Sequence, residues 1–233
     1  MATNKRFFPV IHCKSPFGEK GVSGIKHALT NIKIAKENGA DGVFLISDDR
    51  LHSSEVINIY RIARREYPDF YIGVNFLDIP VSNTNAMQTA LAQYPLVNAL
   101  WMDGMPKIHI PNNTEIESFV GVAFKGQNPN ASIRAIGVQC NQAIKNKSHI
   151  TTSGSRTGKP PDLKKLAIIR ISAGYEVRVA IASGINKENV GKFLSTSDDF
   201  FVSTSISQLY WEQEADYFVP EKVRSLARLI HRR

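Results

Sequence analysis

The chain repeats one pattern eight times: a short, continuous apolar segment, then a stretch rich in glycine or polar residues. Segments that are apolar on both faces indicate buried strands, as in parallel sheets that helices cover on each side. Strands that alternate with helices form right-handed βαβ units. The eight predicted strands are Phe7–Lys14, Asp41–Ser47, Phe70–Phe76, Leu96–Met102, Ser132–Cys140, His149–Ser153, Arg178–Ser183 and Asp199–Ser205.

Apolar residues at helical spacing separate most of these strands. The predicted helices are 25–39, 53–67, Asn85–Gln93, Glu115–Lys125, Asp162–Ala173, Lys187–Leu194 and Pro220–His231. Eight such units in 233 residues predict an α/β fold, a (β/α)8 TIM barrel that forms one domain over residues 1–233. The competing open, doubly wound sheet would have fewer units, and no GxGxxG follows the first strand.

The fifth unit departs from the pattern. Only the segment NQAIKNKSHI lies between the fifth and sixth predicted strands, which is too short for a complete crossover. We therefore expect a shortened or missing helix after strand five. The barrel wall exposed there favours a homo-oligomer, with Asn141–Ser148 at the contact.

Charge and cysteine content limit the classes of partner. The net charge of +8 favours anionic partners. The basic residues are dispersed over predicted helix faces and accompany no nucleic-acid motif, which argues against nucleic-acid binding.

Cys13 and Cys140 lie in apolar segments without metal-ligand spacing, so we expect reduced core thiols. The sequence shows no signal peptide and no membrane span, so we expect a cytoplasmic protein.

Three clusters of hydroxyls and glycines follow the last three predicted strands. In a TIM barrel these positions lie on the active-site face, and loops after strands seven and eight often hold a phosphate. Glycine lets the backbone approach an anion, and successive N–H groups can point at it. Arg156 is either a second clamp on the anion or a surface charge. The predicted phosphate-binding residues are Ser153, Gly154, Ser155, Arg156, Ser183, Gly184, Ser203, Thr204 and Ser205.

Candidate catalytic residues follow the earlier strands. Asp103 follows strand four directly and is the leading candidate for a general acid or base, with a backbone-capping role as the alternative. Asn75 ends strand three, and His12 ends strand one, where it is either functional or a hydrogen-bonded core histidine. Asp48 and Asp49 could bind a divalent ion, but such a pair is more often a turn, so no metal is assigned. The sequence does not identify a cofactor.

The C-terminal half also resembles a known family. The segments SGSRTGKPPD, VAIASGINKENVGKFL, DDFFVSTS and VPEKVRSL are similar to the corresponding motifs of the BtpA-like family, named for photosystem I biogenesis. The resemblance implies a TIM-barrel fold related to phosphate-binding barrels and leaves the reaction open. Two residues depart from the family pattern: Gln139 stands where a lysine is expected at the end of strand five, and Ser203 replaces a glycine.

Two classes of function fit these features. The first is an enzyme acting on a phosphorylated small molecule, such as a sugar phosphate, a phosphoribosyl compound or a nucleotide. The second is a non-catalytic assembly or regulatory protein that retains an anion site. Fold alone does not decide between them.

Overall fold

Eight parallel strands close into a barrel in the order in which they occur along the chain. The computed structural model describes residues 4–15, 23–47, 52–107, 115–210 and 215–232. The last strand pairs with the first, with Arg6–Pro9 in register with Asp199–Val202, so the barrel has no open edge. The predicted TIM-barrel fold is confirmed.

The barrel strands are short and almost wholly buried. They are β1 (Arg6–His12), β2 (Gly42–Ile46), β3 (Tyr71–Asn75), β4 (Ala99–Met102), β5 (Glu117–Gly121), β6 (His149–Thr152), β7 (Val179–Ile181) and β8 (Asp199–Val202). The helices are α1 (Gly24–Glu37), α2 (Ser53–Glu66), α3 (Thr84–Leu91), α4 (Ile133–Lys145), α5 (Leu163–Ala173) and α6 (Pro220–Ile230). Each helix packs one apolar face onto the sheet. In α6 that face consists of Val223, Leu226, Ala227 and Ile230.

The fifth unit differs from the sequence prediction. Residues 132–140 do not form the fifth strand; they belong to α4, which follows β5 as a regular helix of 13 residues. Its buried residues, Ile136, Cys140 and Ala143, have helical spacing, and the Ser132 side chain accepts a hydrogen bond from Ala135 N at the helix start. The prediction of a missing helix after strand five was therefore wrong.

The irregular connection lies one unit earlier. The predicted helix Glu115–Lys125 contains β5 instead, and β4 connects to β5 without a helix among the described residues. Since α4 supplies the helix of the fifth unit and packs on β6 and α5, the sequence argument for an oligomer through Asn141–Ser148 loses its basis.

Aromatic side chains fill the barrel interior. Alternate residues of the strands point inward, and they form a cluster distinct from the layer between barrel and helices: Phe8, Val10, Phe44, Ile46, Ala99, Trp101, Phe119, Phe124, Ala180, Ala182 and Phe201. Phe44 contacts Phe201 with ring centroids 4.4 Å apart. The interior is thus a packed core whose upper layer lies beneath the C-terminal strand ends.

A network of ion pairs lies at the opposite, N-terminal end of the barrel. Arg6 donates hydrogen bonds to both carboxylate oxygens of Glu117 (3.0 and 2.9 Å) and of Asp199 (2.8 and 3.1 Å). Arg178 makes two further bonds to Asp199, which is fully buried. Paired charges of this kind link strands β1, β5 and β8.

The chain after β7 and β8 also differs from the prediction. In place of a helix over Lys187–Leu194 there are turns and one 3-10 turn, Val190–Lys192. A second 3-10 turn, Thr204–Ile206, follows β8 and leads to the antiparallel hairpin β9 (Ser207–Tyr210) and β10 (Ala215–Phe218), which packs on α1. Among the helices that the structure describes, none has the length and apolar composition needed to cross a bilayer.

Candidate functional site

A cavity of about 220 Å³ opens at the C-terminal end of the barrel. Parallel strands deliver all their C-terminal ends to this face, which is where TIM-barrel enzymes place their active sites. The lining residues are Val10, His12, Ile46, Trp101, Lys125, Thr157, Gly158, Ala182–Asn186 and Phe201–Ser205. Of the predicted residues, His12, Ser183, Gly184, Ser203, Thr204 and Ser205 line it.

The loops after β7 and β8 form the polar rim of this cavity. The Ser205 hydroxyl donates to Ile185 O at 2.7 Å, which holds the two loops together. Gly184 has φ +69°, a conformation that favours glycine. The backbone N–H groups of Ser183, Gly184, Thr204 and Ser205 donate no hydrogen bond to other described residues. The rim therefore has backbone donors that lack a partner among the described residues and could bind an anion, whereas the hydroxyl protons of Ser183 and Ser205 are already donated to carbonyl oxygens.

The loop after β6 contributes less directly than its sequence suggests. Ser153 is fully buried, and its hydroxyl accepts from Lys125 N at 2.8 Å and donates to Gly154 O at 3.0 Å. Gly154 allows the loop to fold on itself, since a Cβ there would lie 2.2 Å from Lys159 O. Ser155 and Arg156 are exposed. None of these four lines the cavity, whereas Thr157 and Gly158 do.

The loops after β6 and β7 pack against each other through Ser183 and Gly184. The Ser183 hydroxyl donates to Lys159 O at 2.5 Å and accepts from Gly154 N at 3.3 Å. A Cβ on Gly184 would lie 2.2 Å from Pro160 N. The position of the rim on β7 therefore depends on the loop that contains Gly154, even though Gly154 lies outside the cavity.

Lys125 is a site residue that sequence reasoning missed. It follows β5, lines the cavity, and its ammonium donates to Thr157 Oγ1 at 3.2 Å. It was missed because the composition of residues 115–125 predicts a helix, so Lys125 was not placed after a strand. The lysine expected after strand five was sought at Gln139, which lies in α4, where its side chain accepts from Ala123 N at 2.9 Å. A lysine does follow strand five, at position 125.

A second lysine fixes the loops behind the site. The Lys165 ammonium donates to Ser153 O (2.5 Å), Ala123 O (3.0 Å) and Pro129 O (3.2 Å). Burial lowers the pKa of Lys165 to about 8. Its contacts tie the loops after β5 and β6 together, which holds Lys125 near the cavity.

Asn75 and Asp103 form a polar pair at the ends of β3 and β4. Asn75 is buried, and its Nδ2 donates to Asp103 Oδ1 at 3.0 Å, whereas Oδ2 accepts no hydrogen bond from the described residues. Burial raises the pKa of Asp103, although the Asn75 hydrogen bond and the Lys125 charge act in the opposite direction. A carboxyl oriented through one oxygen, with a raised pKa, has the properties of a general acid or base.

The third candidate catalytic residue, His12, ends β1 and lines the cavity. In the described ranges no three His, Cys, Asp or Glu side chains gather into a possible metal site. Asp48 and Asp49 lie outside those ranges. Cys13 and Cys140 are both buried and are not joined by a disulfide.

Solved structures of the same fold align over nearly the full chain. Thiamine phosphate pyrophosphorylase from Pyrococcus furiosus shares 14% identity at a TM-score of 0.58, with 97% of this chain and 95% of that one covered. N-(5'-phosphoribosyl)anthranilate isomerase from the same organism shares 12% identity at a TM-score of 0.57, with 97% of this chain and 98% of that one covered. 3-Hexulose-6-phosphate synthase from Salmonella typhimurium shares 8% identity at a TM-score of 0.61, with 97% of this chain and 98% of that one covered. The protein therefore belongs to the TIM-barrel class.

The family is narrower than the fold. The BtpA family model matches residues 73–232, which is more than half of the chain. The chain belongs to the BtpA family. Comparison with curated proteins gives no significant match.

Proposed function

We propose that this protein is an enzyme that binds a phosphorylated small molecule at the barrel mouth. The observation that carries the proposal is that one cavity is lined by backbone N–H groups without a partner among the described residues, by the hydroxyls of Ser203 and Thr204, and by one lysine. The barrels of similar fold named above support it, since each is named for a phosphorylated compound. Sugar phosphates, phosphoribosyl compounds and nucleotides all carry the required group.

The rim residues would hold the phosphate. Ser183, Gly184, Thr204 and Ser205 offer backbone amides, and Ser203 and Thr204 offer hydroxyls. Lys125 adds a positive charge from the loop after β5. Hydrogen bonds from such donors are stronger when the acceptor is charged, as a phosphate oxygen is. The exposed Arg156 contributes at most from the periphery, as a long-range attraction for the anion.

The polar pair would carry out the chemistry. Asp103, oriented by Asn75, does not line the cavity, so it would exchange a proton with a part of the substrate that extends over the ends of β3 and β4. His12, which lines the cavity, would act from the end of β1. Lys125 influences the pKa of Asp103 and lines the cavity, so it connects the phosphate rim to the carboxylate. A screen of phosphorylated metabolites should find a turned-over substrate whose turnover Asp103→Asn abolishes while binding persists.

Isothermal titration with inorganic phosphate tests the binding half of the proposal. Lys125→Met should weaken phosphate binding about 10- to 100-fold, because it removes a charge-assisted hydrogen bond. Lys145→Met is the matched control, since Lys145 is exposed at the end of α4. Equal affinity in wild type and both variants, or no binding by wild type, would contradict the proposal.

A further inference from the structure

The floor of the mouth cavity is apolar and aromatic, in contrast to its rim. The floor consists of Val10, Ile46, Trp101, Ala182 and Phe201, all members of the barrel-interior cluster. The Trp101 ring is held by Phe201 (centroids 5.2 Å apart), Phe44 (5.9 Å) and Phe124 (6.2 Å). The floor is therefore a packed aromatic and aliphatic surface with few hydrogen-bonding groups.

This floor discriminates against polyhydroxylated ligands. A hydroxyl buried against it without a partner would cost about 1–3 kcal/mol. A flat ring, in contrast, would gain apolar contact and offset or edge-on packing with Trp101 and Phe201. The chemistry of the floor thus favours a ring over an open-chain sugar.

Trp101 adds one specific polar requirement. Its side chain is 5% exposed, and its Nε1 donates no hydrogen bond to any described residue. An indole nitrogen can only donate, and buried donors in native proteins are nearly always paired. Trp101 lines the cavity, whereas its Nε1 atom is itself buried, so a small rotation of the indole ring would be needed to bring Nε1 to an acceptor on a bound ligand.

We propose that the ligand is a ring-bearing phosphate: a single planar ring with a nitrogen or oxygen acceptor for Trp101 Nε1, joined to a phosphate that the rim holds. This inference rests on the proposed function and narrows its substrate class. An apolar cavity of about 150 Å³ holds a benzene molecule. The cavity of about 220 Å³ accommodates one ring with the phosphate at the rim.

Four compounds separate the requirements in titrations of the full chain. Pyridoxine 5′-phosphate has a ring with acceptors, benzyl phosphate has a ring of the same size without them, and ribose 5-phosphate has hydroxyls in place of an aromatic ring. Unphosphorylated pyridoxine has the ring alone. We expect pyridoxine 5′-phosphate to bind most tightly, about tenfold better than benzyl phosphate, the value of one buried hydrogen bond.

Tryptophan fluorescence reports where the ring binds. The chain has two tryptophans, and Trp211→Phe leaves Trp101 as the single reporter. In this background pyridoxine 5′-phosphate should change the Trp101 emission, and ribose 5-phosphate should not.

A pair of variants isolates the indole donor. Trp101→Phe should reduce the affinity for pyridoxine 5′-phosphate to that for benzyl phosphate, and should change benzyl phosphate binding little. Thr151→Val is the control, because Thr151 is also a buried donor without a described partner but does not line the cavity. If Trp101→Phe fails to fold, the affinities of the wild-type protein for pyridoxine 5′-phosphate and benzyl phosphate still test whether the ligand needs an acceptor.

The outcomes distinguish this inference from the proposed function. Ribose 5-phosphate binding as tightly as the ring phosphates would overturn the inference and leave the phosphate site standing. Pyridoxine binding as tightly as its phosphate would overturn the proposed function instead. No binding by any compound would overturn both, and an unchanged ligand preference in Trp101→Phe would overturn the role of Nε1.

Discussion

Asp103 is a partly buried carboxyl group whose ionisation lowers the free energy of unfolding. Burial raises its pKa, so the folded state keeps the Asp103 proton to a higher pH than the unfolded chain does. The unfolding free energy therefore falls as the pH rises from the ordinary pKa of an aspartate through the raised value, and above that window the full cost is present. Such a cost is common where a charged group serves activity.

The neutral variant should show this cost directly. We expect Asp103→Asn to raise the melting temperature by a few degrees at pH 7, since an amide can still accept the Asn75 hydrogen bond. The gain should shrink as the pH falls toward the ordinary pKa of an aspartate, in calorimetric scans across the range. Asp69→Asn, at an exposed position, should change little at any pH. A loss of stability in Asp103→Asn at pH 7 would favour the capping role over the catalytic one.

At the scale of single elements, the sequence predicts seven of the eight strands and misplaces one. The fifth strand is misplaced because Ile133 and Val138 are apolar yet 69% and 63% exposed, so Ser132–Cys140 has the density of apolar residues of a strand. The buried residues of α4 have helical spacing, but the two exposed ones obscure it. Local pattern cannot tell which apolar residues the tertiary structure leaves uncovered.

The same limit governs the site. Ser183, Gly184 and Ser203–Ser205 could be placed at the cavity because they directly follow correctly predicted strands. Lys125 and Trp101 were missed for different reasons: the first because its strand was misassigned, the second because a tryptophan within a strand looks like ordinary core. Only the packed structure shows that the Trp101 Nε1 has no described partner.

Two glycines of contrasting environment test how the rim is built. Gly184→Ala should destabilise the protein by about 2 kcal/mol or more, because φ is +69° and the new Cβ would meet Pro160 N at 2.2 Å. Gly137→Ala in α4 should stabilise it by about 0.5–1 kcal/mol, since a Cβ there meets no atom within 4 Å. Urea unfolding measures both. A Gly184→Ala protein as stable as wild type would contradict both the backbone strain at φ +69° and the close contact with Pro160.

Over the whole molecule, charge has opposite effects at the two ends of the barrel. At the N-terminal end, burial would raise the pKa of Glu117, but the hydrogen bonds and charge of Arg6, with smaller contributions from His149 and Tyr71, together outweigh it and lower that pKa. Glu117 therefore contributes stability above the ordinary glutamate pKa, and that stability is lost as the pH falls. Asp103 at the mouth behaves in the reverse way. This division matches the TIM-barrel rule that one end carries stability and the other carries function.

Asp199 provides the test at this scale. It is fully buried and accepts hydrogen bonds from Arg6 and Arg178, so Asp199→Asn leaves two guanidinium groups with an uncharged acceptor. We expect a loss of about 3–5 kcal/mol in urea unfolding, the usual cost of breaking a buried pair. Glu37→Gln, in an exposed pair with Lys33, should cost below about 0.5 kcal/mol.

Phosphate affinity of the folded Asp199→Asn protein should match wild type, because the altered carboxylate lies at the far end of the barrel from the cavity. A parallel loss of affinity and stability would mean that the two ends of the barrel are coupled and do not have separate roles.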